Sequence, residues 1–350
     1  ANGPFVIDSC ILRHDKQPIY TPMSHVADTR LHIVMRGQKG SGKSVLINLF
    51  LAPNTGLLSS PANADIGMGF RTDIGPNSIT EAGMFGSVDE DGNIVGRPLA
   101  REMCGGFLGF EEFSSLTDAG KKEHSTDITN QMLTSTDNGR VKKVMKSGWV
   151  EYLTRYTIWA GTQPARFEME SGMDRRFFVI DIDMNPAKEL QFKRAQATQA
   201  SMGVAERADL AGMAFAMRDF FTNRALEVIT NPPTGIAFDD EFNDWLFRPE
   251  VRSHEADLFR RLALGYTVIG PNYKGGGVLQ VKMTDELTLI LDRCLQMRRT
   301  VMDSDLLLIK TTFWNTQMSR SNLVKEVARM VTNGDYQASK RWIQDNLLIQ

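Results

Sequence analysis

The first residues able to do chemistry are the glycines, lysine and serine of one short run. Between two apolar stretches, Leu31 to Phe50 holds Gly37-Gln-Lys-Gly40-Ser41-Gly42-Lys43-Ser44. Glycines at those positions let the backbone bend so that successive N–H groups turn inward on an anion, at the positive end of a helix beginning near Lys43. In a G-x-x-x-x-G-K-S pattern the lysine reaches the β- and γ-phosphates of a nucleotide, and the Ser44 hydroxyl ligates Mg2+. ATP and Mg2+ are the expected cofactors. A second group fits the same chemistry: Cys104 to Leu116 reads as an apolar strand ending in paired carboxylates. Glu111 would hold the metal through its water shell and Glu112 would polarise the attacking water, the alternative being a solvated strand end. After the strand-like Tyr156 to Ala160 stands Gly161-Thr162-Gln163-Pro164. Gln163 is the first choice to touch the γ-phosphate or orient the water, and Thr162 the second. Arg175-Arg176-Phe177 precedes the apolar strand Phe178 to Ile182. In a ring-forming ATPase an arginine there stabilises charge on a neighbouring subunit's nucleotide.

A different chemistry follows from the turn signals at Asn138-Gly139 and Ser147-Gly148, which bracket β-prone runs and predict a hairpin. From Gly139 to Arg155 there are five Lys or Arg against one Glu, with Lys142, Lys143 and Lys146 toward the tip. Two readings fit: a solvated hairpin with surface lysines, or a finger that grips a nucleic-acid backbone.

These groups must be positioned by a chain of 350 residues, long enough for two or three domains. Its 42% hydrophobic and 23% charged residues are those of a soluble globular protein. A net charge of −2 means that any contact with nucleic acid depends on local basic patches. Cys10, Cys104 and Cys294 are too few and scattered for a disulfide framework or metal cluster, which favours a reducing, cytoplasmic setting. No apolar stretch approaches a membrane span, and no signal peptide opens the chain. The first residue is Ala, so the sequence is read as a piece of something longer.

The pattern divides into an α/β core at 1–186, a helical lid at 187–274 and a third unit at 275–350. Residues 1–30 are an irregular lead-in. Ala52 to Arg97 is polar and Gly-rich, with a strand-like piece at Ile66 to Phe70. Leu116 to Leu133 is helix-like. The lid has helical patterns at Ala205 to Ala225, Asp239 to Phe247 and Ser253 to Val268, where Arg260 and Arg261 would close over the nucleotide. Gly275-Gly276-Gly277 reads as a linker. Ser319 to Val331 and Asp335 to Asp345 then have helix-turn-helix spacing, open to a nucleic-acid-binding winged helix or a partner module.

From Gly37 to Leu262 the motifs, in their order, resemble the AAA+ module of the minichromosome maintenance family of replicative helicases. Glu111-Glu112-Phe113 stands where that family has Asp-Glu-Phe. Val144-Met-Lys146-Ser-Gly148 is similar to its pore hairpin, whose lysine contacts DNA, and Gly161-Thr-Gln163-Pro164 stands at its first sensor, usually Asn. Arg175-Arg176-Phe177 resembles its arginine finger, and Arg260-Arg261-Leu262-Ala263 its second sensor, favouring Arg261. Residues 79–97 look like its helix-2 insert. The Gly42-Lys43-Ser44 ending departs from the family's usual Ala-Lys-Ser. The resemblance implies an AAA+ core with a parallel sheet and β-hairpin insertions, a helical lid and a C-terminal winged helix. It also implies a hexameric ring that hydrolyses ATP at subunit interfaces and moves along single-stranded or forked DNA. Two other functions remain open: an AAA+ protein remodeller, or an initiator that binds DNA and uses ATP as a switch.

Overall fold

The computed structural model describes residues 30–59, 72–75, 79–89, 94–113, 128–145, 148–163, 176–182, 186–298, 319–330 and 335–347. The first part of the chain alternates strands and helices: β1 (His32–Gly37), α1 (Lys43–Leu51), β2 (Thr72–Ile74), α2 (Glu81–Phe85), β3 (Ser87–Val88), β4 (Ile94–Val95), α3 (Leu99–Glu102), β5 (Phe107–Phe110), α4 (Ile128–Asn138), β6 (Arg140–Met145), β7 (Gly148–Leu153), β8 (Thr157–Thr162) and β9 (Phe177–Ile182). Five of these strands form one parallel sheet in the order β2-β5-β8-β1-β9.

Strands buried on both faces read as continuous apolar runs, and β9 shows why. Phe177 and Val179 join the core on one face with Val34, Leu108, Phe110, Ile158 and Met132. Phe178 and Ile180 point to the other face, against Trp245, Phe259 and Leu264. Beside them α1 lays Ile47 and Leu51 on Met35 and Phe107. The α/β core expected from the sequence is thus a mixed α/β fold with a five-stranded parallel sheet.

Asn138-Gly139, one of the two turn signals expected to bracket a hairpin, ends α4: Gly139 has φ +61° and donates its N–H to the Ser135 carbonyl, a left-handed helix cap, and the hairpin strands β6 and β7 follow. Within 79–97, α2 is followed by the small antiparallel β3–β4 pair. The expected strand at Ile66 to Phe70 lies outside the described residues, as does most of the helix expected from Leu116.

The rest of the chain is α5 (Pro186–Ser201), α6 (Val204–Thr230), β10 (Gly235–Phe238), α7 (Asp240–Leu246), α8 (Ala256–Ile269), β11 (Val278–Val281), α9 (285–298), α10 (Arg320–Met330) and α11 (Tyr336–Leu347). The Gly275–Gly277 stretch does not end the helical unit. β11 pairs in parallel with β10, Thr234 donates to the Gly277 carbonyl, and Leu287, Leu291 and Leu295 of α9 pack into the same core as α7 and α8. α10 and α11 pack on each other through Leu323, Val324, Val327 and Ile343. No helix among the described residues is long and apolar enough to cross a membrane.

Candidate functional site

The loop between β1 and α1 opens at the C-terminal edge of the sheet. Gly40 and Gly42 take φ of +83° and +86°, a backbone shape costly for any residue with a Cβ. Gly42 caps α1 with no side chain, and no acid stands in the first helical turn. The orphan N–H groups of that turn are therefore open to an anion. Lys43 is buried, its Nζ donating to the carbonyls of Gly37 (2.7 Å) and Gln38 (2.9 Å) and lying 3.4 Å from Ser41 Oγ. Burial pushes its pKa below the ordinary lysine value, opposed by the carboxylate of Glu112. The donor set fits a polyphosphate.

Because β8 lies between β1 and β5, the acids at the end of β5 face the loop across β8. Gly161 makes the approach possible: a Cβ there would sit 2.8 Å from the Glu111 carbonyl and 3.3 Å from Lys43 Cβ. Its carbonyl accepts the Phe113 N–H, tying the end of β8 to the acidic turn. Glu111 is exposed and accepts from Asn48 Nδ2 on α1 at 3.3 Å. Glu112 accepts from Thr162 Oγ1 at 3.3 Å. Thr162, the second choice from sequence, is the residue that touches the acid; Gln163 follows it, half-buried. Among the described residues no group of three or more His, Cys, Asp and Glu could hold a metal alone. Ser44, in the first turn of α1, and Glu111, at the end of β5, are the residues that the sequence expects to hold Mg2+.

Arg176 and Arg261 lie elsewhere. Parallel register pairs His32 with Phe177 and Gly37 with Ile182, so Arg176 stands at the edge of the sheet opposite the phosphate loop. There it lines a pocket of about 310 Å³ with His32, Thr136, Asp137, His254, Asp257 and Arg261. Arg176 pairs with the Asp137 carboxylate. Arg261 donates to Asp257 Oδ2 and to the Arg30 carbonyl, each at 2.8 Å. His32 Nδ1 accepts the Ile158 N–H at 3.0 Å, which leaves the proton of the neutral ring on Nε2. Arg176 and Arg261 thus line one pocket.

No protein-family model matches the chain, and no curated protein matches it either.

The basic hairpin is β6–β7, antiparallel with Lys142 opposite Glu151 and Lys143 opposite Val150. Its lysines part company. Lys142 lies on the exposed face with Arg140, which pairs with Glu151. Lys143 lies on the packed face beside buried Val141, its Nζ 2.6 Å from Glu81 Oε1 with both side chains largely buried. It serves to pin the hairpin to α2 and is not presented to a ligand, which corrects its assignment as a DNA contact. Lys146 lies outside the described residues.

Sequence reasoning missed the supports. Arg36 grips Asp181 with two hydrogen bonds of 2.7 and 2.9 Å, locking β1 to β9 just before the loop. Arg298 forms a buried ion pair with Glu255 at 2.5 Å and donates to the Phe177 carbonyl beside Arg176. Arg30, fully buried, binds the last carbonyls of α4. Their partners are more than forty residues away in sequence, so no local pattern announces them.

Proposed function

We propose that this chain is a subunit of an ATP-driven, ring-forming DNA translocase or helicase, an AAA+ ATPase related to the minichromosome maintenance family. One observation carries the reading: the glycine-rich loop with Lys43 and the pocket holding Arg176 and Arg261 lie at opposite edges of a single parallel sheet. The six-residue β1 separates them by roughly 17 Å at ~3.3 Å per residue. Lys43 and Glu112 of one copy are thus out of reach of that copy's own Arg176 and Arg261. A second copy, presenting its arginine pocket to the first copy's loop, completes the site, and repetition of such a head-to-tail contact closes a ring, by family resemblance a hexamer.

In the proposed site the loop N–H groups and Lys43 bind the phosphates, and Ser44 and Glu111 hold Mg2+, which would neutralise charge on the β- and γ-oxygens. Glu112, oriented by Thr162, accepts a proton from the attacking water, and Gln163 stands at the strand end beside it. Arg176 and Arg261 of the neighbour stabilise the charge that develops on the transferred phosphoryl group. Lys142 on the exposed face of the hairpin and Lys146 near its tip contact the phosphate backbone of the strand being moved, with little sequence readout. ATP hydrolysis measured with single-stranded DNA, duplex DNA and unfolded polypeptide tests the assignment. Stimulation by single-stranded DNA is expected. Stimulation by polypeptide alone would make the chain a remodeller, and no stimulation by any nucleic acid would overturn the translocase.

A further inference from the structure

Contacts from distant parts of the chain meet at the last turn of α4. Buried Arg30 donates from Nη1 to the Ser135 carbonyl at 3.1 Å, and from Nη2 to those of Thr136 at 2.7 Å and Asp137 at 3.4 Å. The Ser135 carbonyl also accepts the Gly139 N–H, while those of Thr136 and Asp137 are among the acceptors a helix end leaves without intrahelical partners. The carbonyl of Arg30 in turn accepts from Arg261. The Asp137 side chain pairs with Arg176. After Gly139 the chain becomes β6, and the Thr154 N–H donates to the Gly139 carbonyl at 2.9 Å, closing the base of the hairpin. Both arginines of the pocket therefore end on one helix terminus, Arg176 through a side chain and Arg261 through Arg30. That terminus is the root of the basic hairpin.

Asp137 is an acid at the negative end of a helix, where charge of its own sign is disfavoured. Its carboxylate is held there by the cation of Arg176, just before β9. A guanidinium accepts a carboxylate or a phosphate in the same fork of N–H donors. An incoming phosphate would compete with the Asp137 carboxylate for Arg176.

We propose, resting on the trans nucleotide site above, that Asp137 is a latch. With no neighbouring nucleotide it holds Arg176 and keeps the hairpin root closed. When Arg176 exchanges Asp137 for a neighbour's phosphate, the end of α4 loosens and the β6–β7 hairpin shifts its seat. Asp137 is a positioning residue in this scheme, acting on the nucleotide only through Arg176. The exchange breaks one ion pair and makes another with no covalent step.

Hydrogen exchange of the amides in 140–153, read beside ATP turnover, tests the latch in Asp137→Asn, Asp137→Glu, Arg176→Ala and the Asp137→Asn/Arg176→Ala double variant. In the wild type a slowly hydrolysed ATP analogue is expected to speed hairpin exchange. Asp137→Asn is expected to reproduce the fast exchange without nucleotide, and Asp137→Glu to restore the slow one. The double variant should exchange no faster than either single variant. Turnover without DNA should rise about tenfold in Asp137→Asn, which corresponds to ~1.4 kcal/mol, and stimulation by single-stranded DNA should shrink by the same factor. Hairpin exchange in Asp137→Asn as slow as in the wild type would overturn the proposal. So would single-variant effects that simply add, or a fall in turnover with the DNA stimulation ratio unchanged. Failure of the underlying reading looks different: Lys43→Ala would then hydrolyse ATP at the wild-type rate, and the analogue would leave hairpin exchange unaltered in every variant.

Discussion

Replacing Thr162 with valine removes one oxygen from the end of β8 and preserves its shape. Thr162 is fully buried, and its Oγ1 lies 3.3 Å from Glu112 Oε1 and 3.5 Å from the Gln163 carbonyl. A hydrogen bond from a hydroxyl to a carboxylate contributes about 1.5–3 kcal/mol, and 3.3 Å is long for one, so the lower figure applies. Loss of about 1.5 kcal/mol from the orientation of the general base corresponds to a roughly tenfold fall in kcat. Glu112 is half-buried and keeps access to water, so the folding cost should stay near ~1 kcal/mol. Steady-state ATP hydrolysis and thermal melting separate the two. The expected result is a tenfold lower kcat with KM changed by less than about twofold, since nucleotide binding rests on the loop and not on Thr162. An unchanged kcat would show that Thr162 does not set the position of Glu112.

Three further outcomes follow from the same geometry. Lys142→Ala should weaken binding to single-stranded DNA and lower the salt slope by about one unit, read by fluorescence anisotropy over a salt series. Lys143→Ala should instead lower stability by about 1–3 kcal/mol, because the largely buried Glu81 loses its partner; the reverse pattern would mean the two faces of β6 are misassigned. Glu255→Gln should cost about 3–5 kcal/mol in urea unfolding, since it leaves Arg298 charged and nearly sealed from water; a cost below ~1 kcal/mol would remove the buried pair as a support of the arginine pocket.

What the sequence made legible is what repeats locally. The proposed phosphate loop is a run of eight consecutive residues, Gly37 to Ser44, and the apolar strands of a doubly covered sheet stand out as runs. Glu111 and Glu112 could be placed because an acid pair after an apolar run is a short pattern. The roles of neighbouring residues were less legible: Gln163 and Thr162 are adjacent, and only the pleat of β8 against β5 decides which one meets Glu112. Lys143 was grouped with Lys142 and Lys146 by charge, but strand alternation turns it inward to Glu81, which lies far from the hairpin in sequence. Gly275–Gly277 has a linker's composition, yet the pairing of β10 with β11 folds it into the helical unit. Arg30, Asp137 and Arg298 have meaning only through long-range contacts, which no spacing rule encodes.

In the proposed assembly one copy of the chain supplies Lys43 and another supplies Arg176. Mixing Lys43→Ala subunits with Arg176→Ala subunits, each inactive alone, tests it most directly. At equal ratio some interfaces pair an intact loop with an intact arginine pocket, and the account predicts that ATP hydrolysis returns in part and tracks the fraction of such interfaces. Mixed assemblies that form yet hydrolyse no more ATP than either variant alone would contradict it.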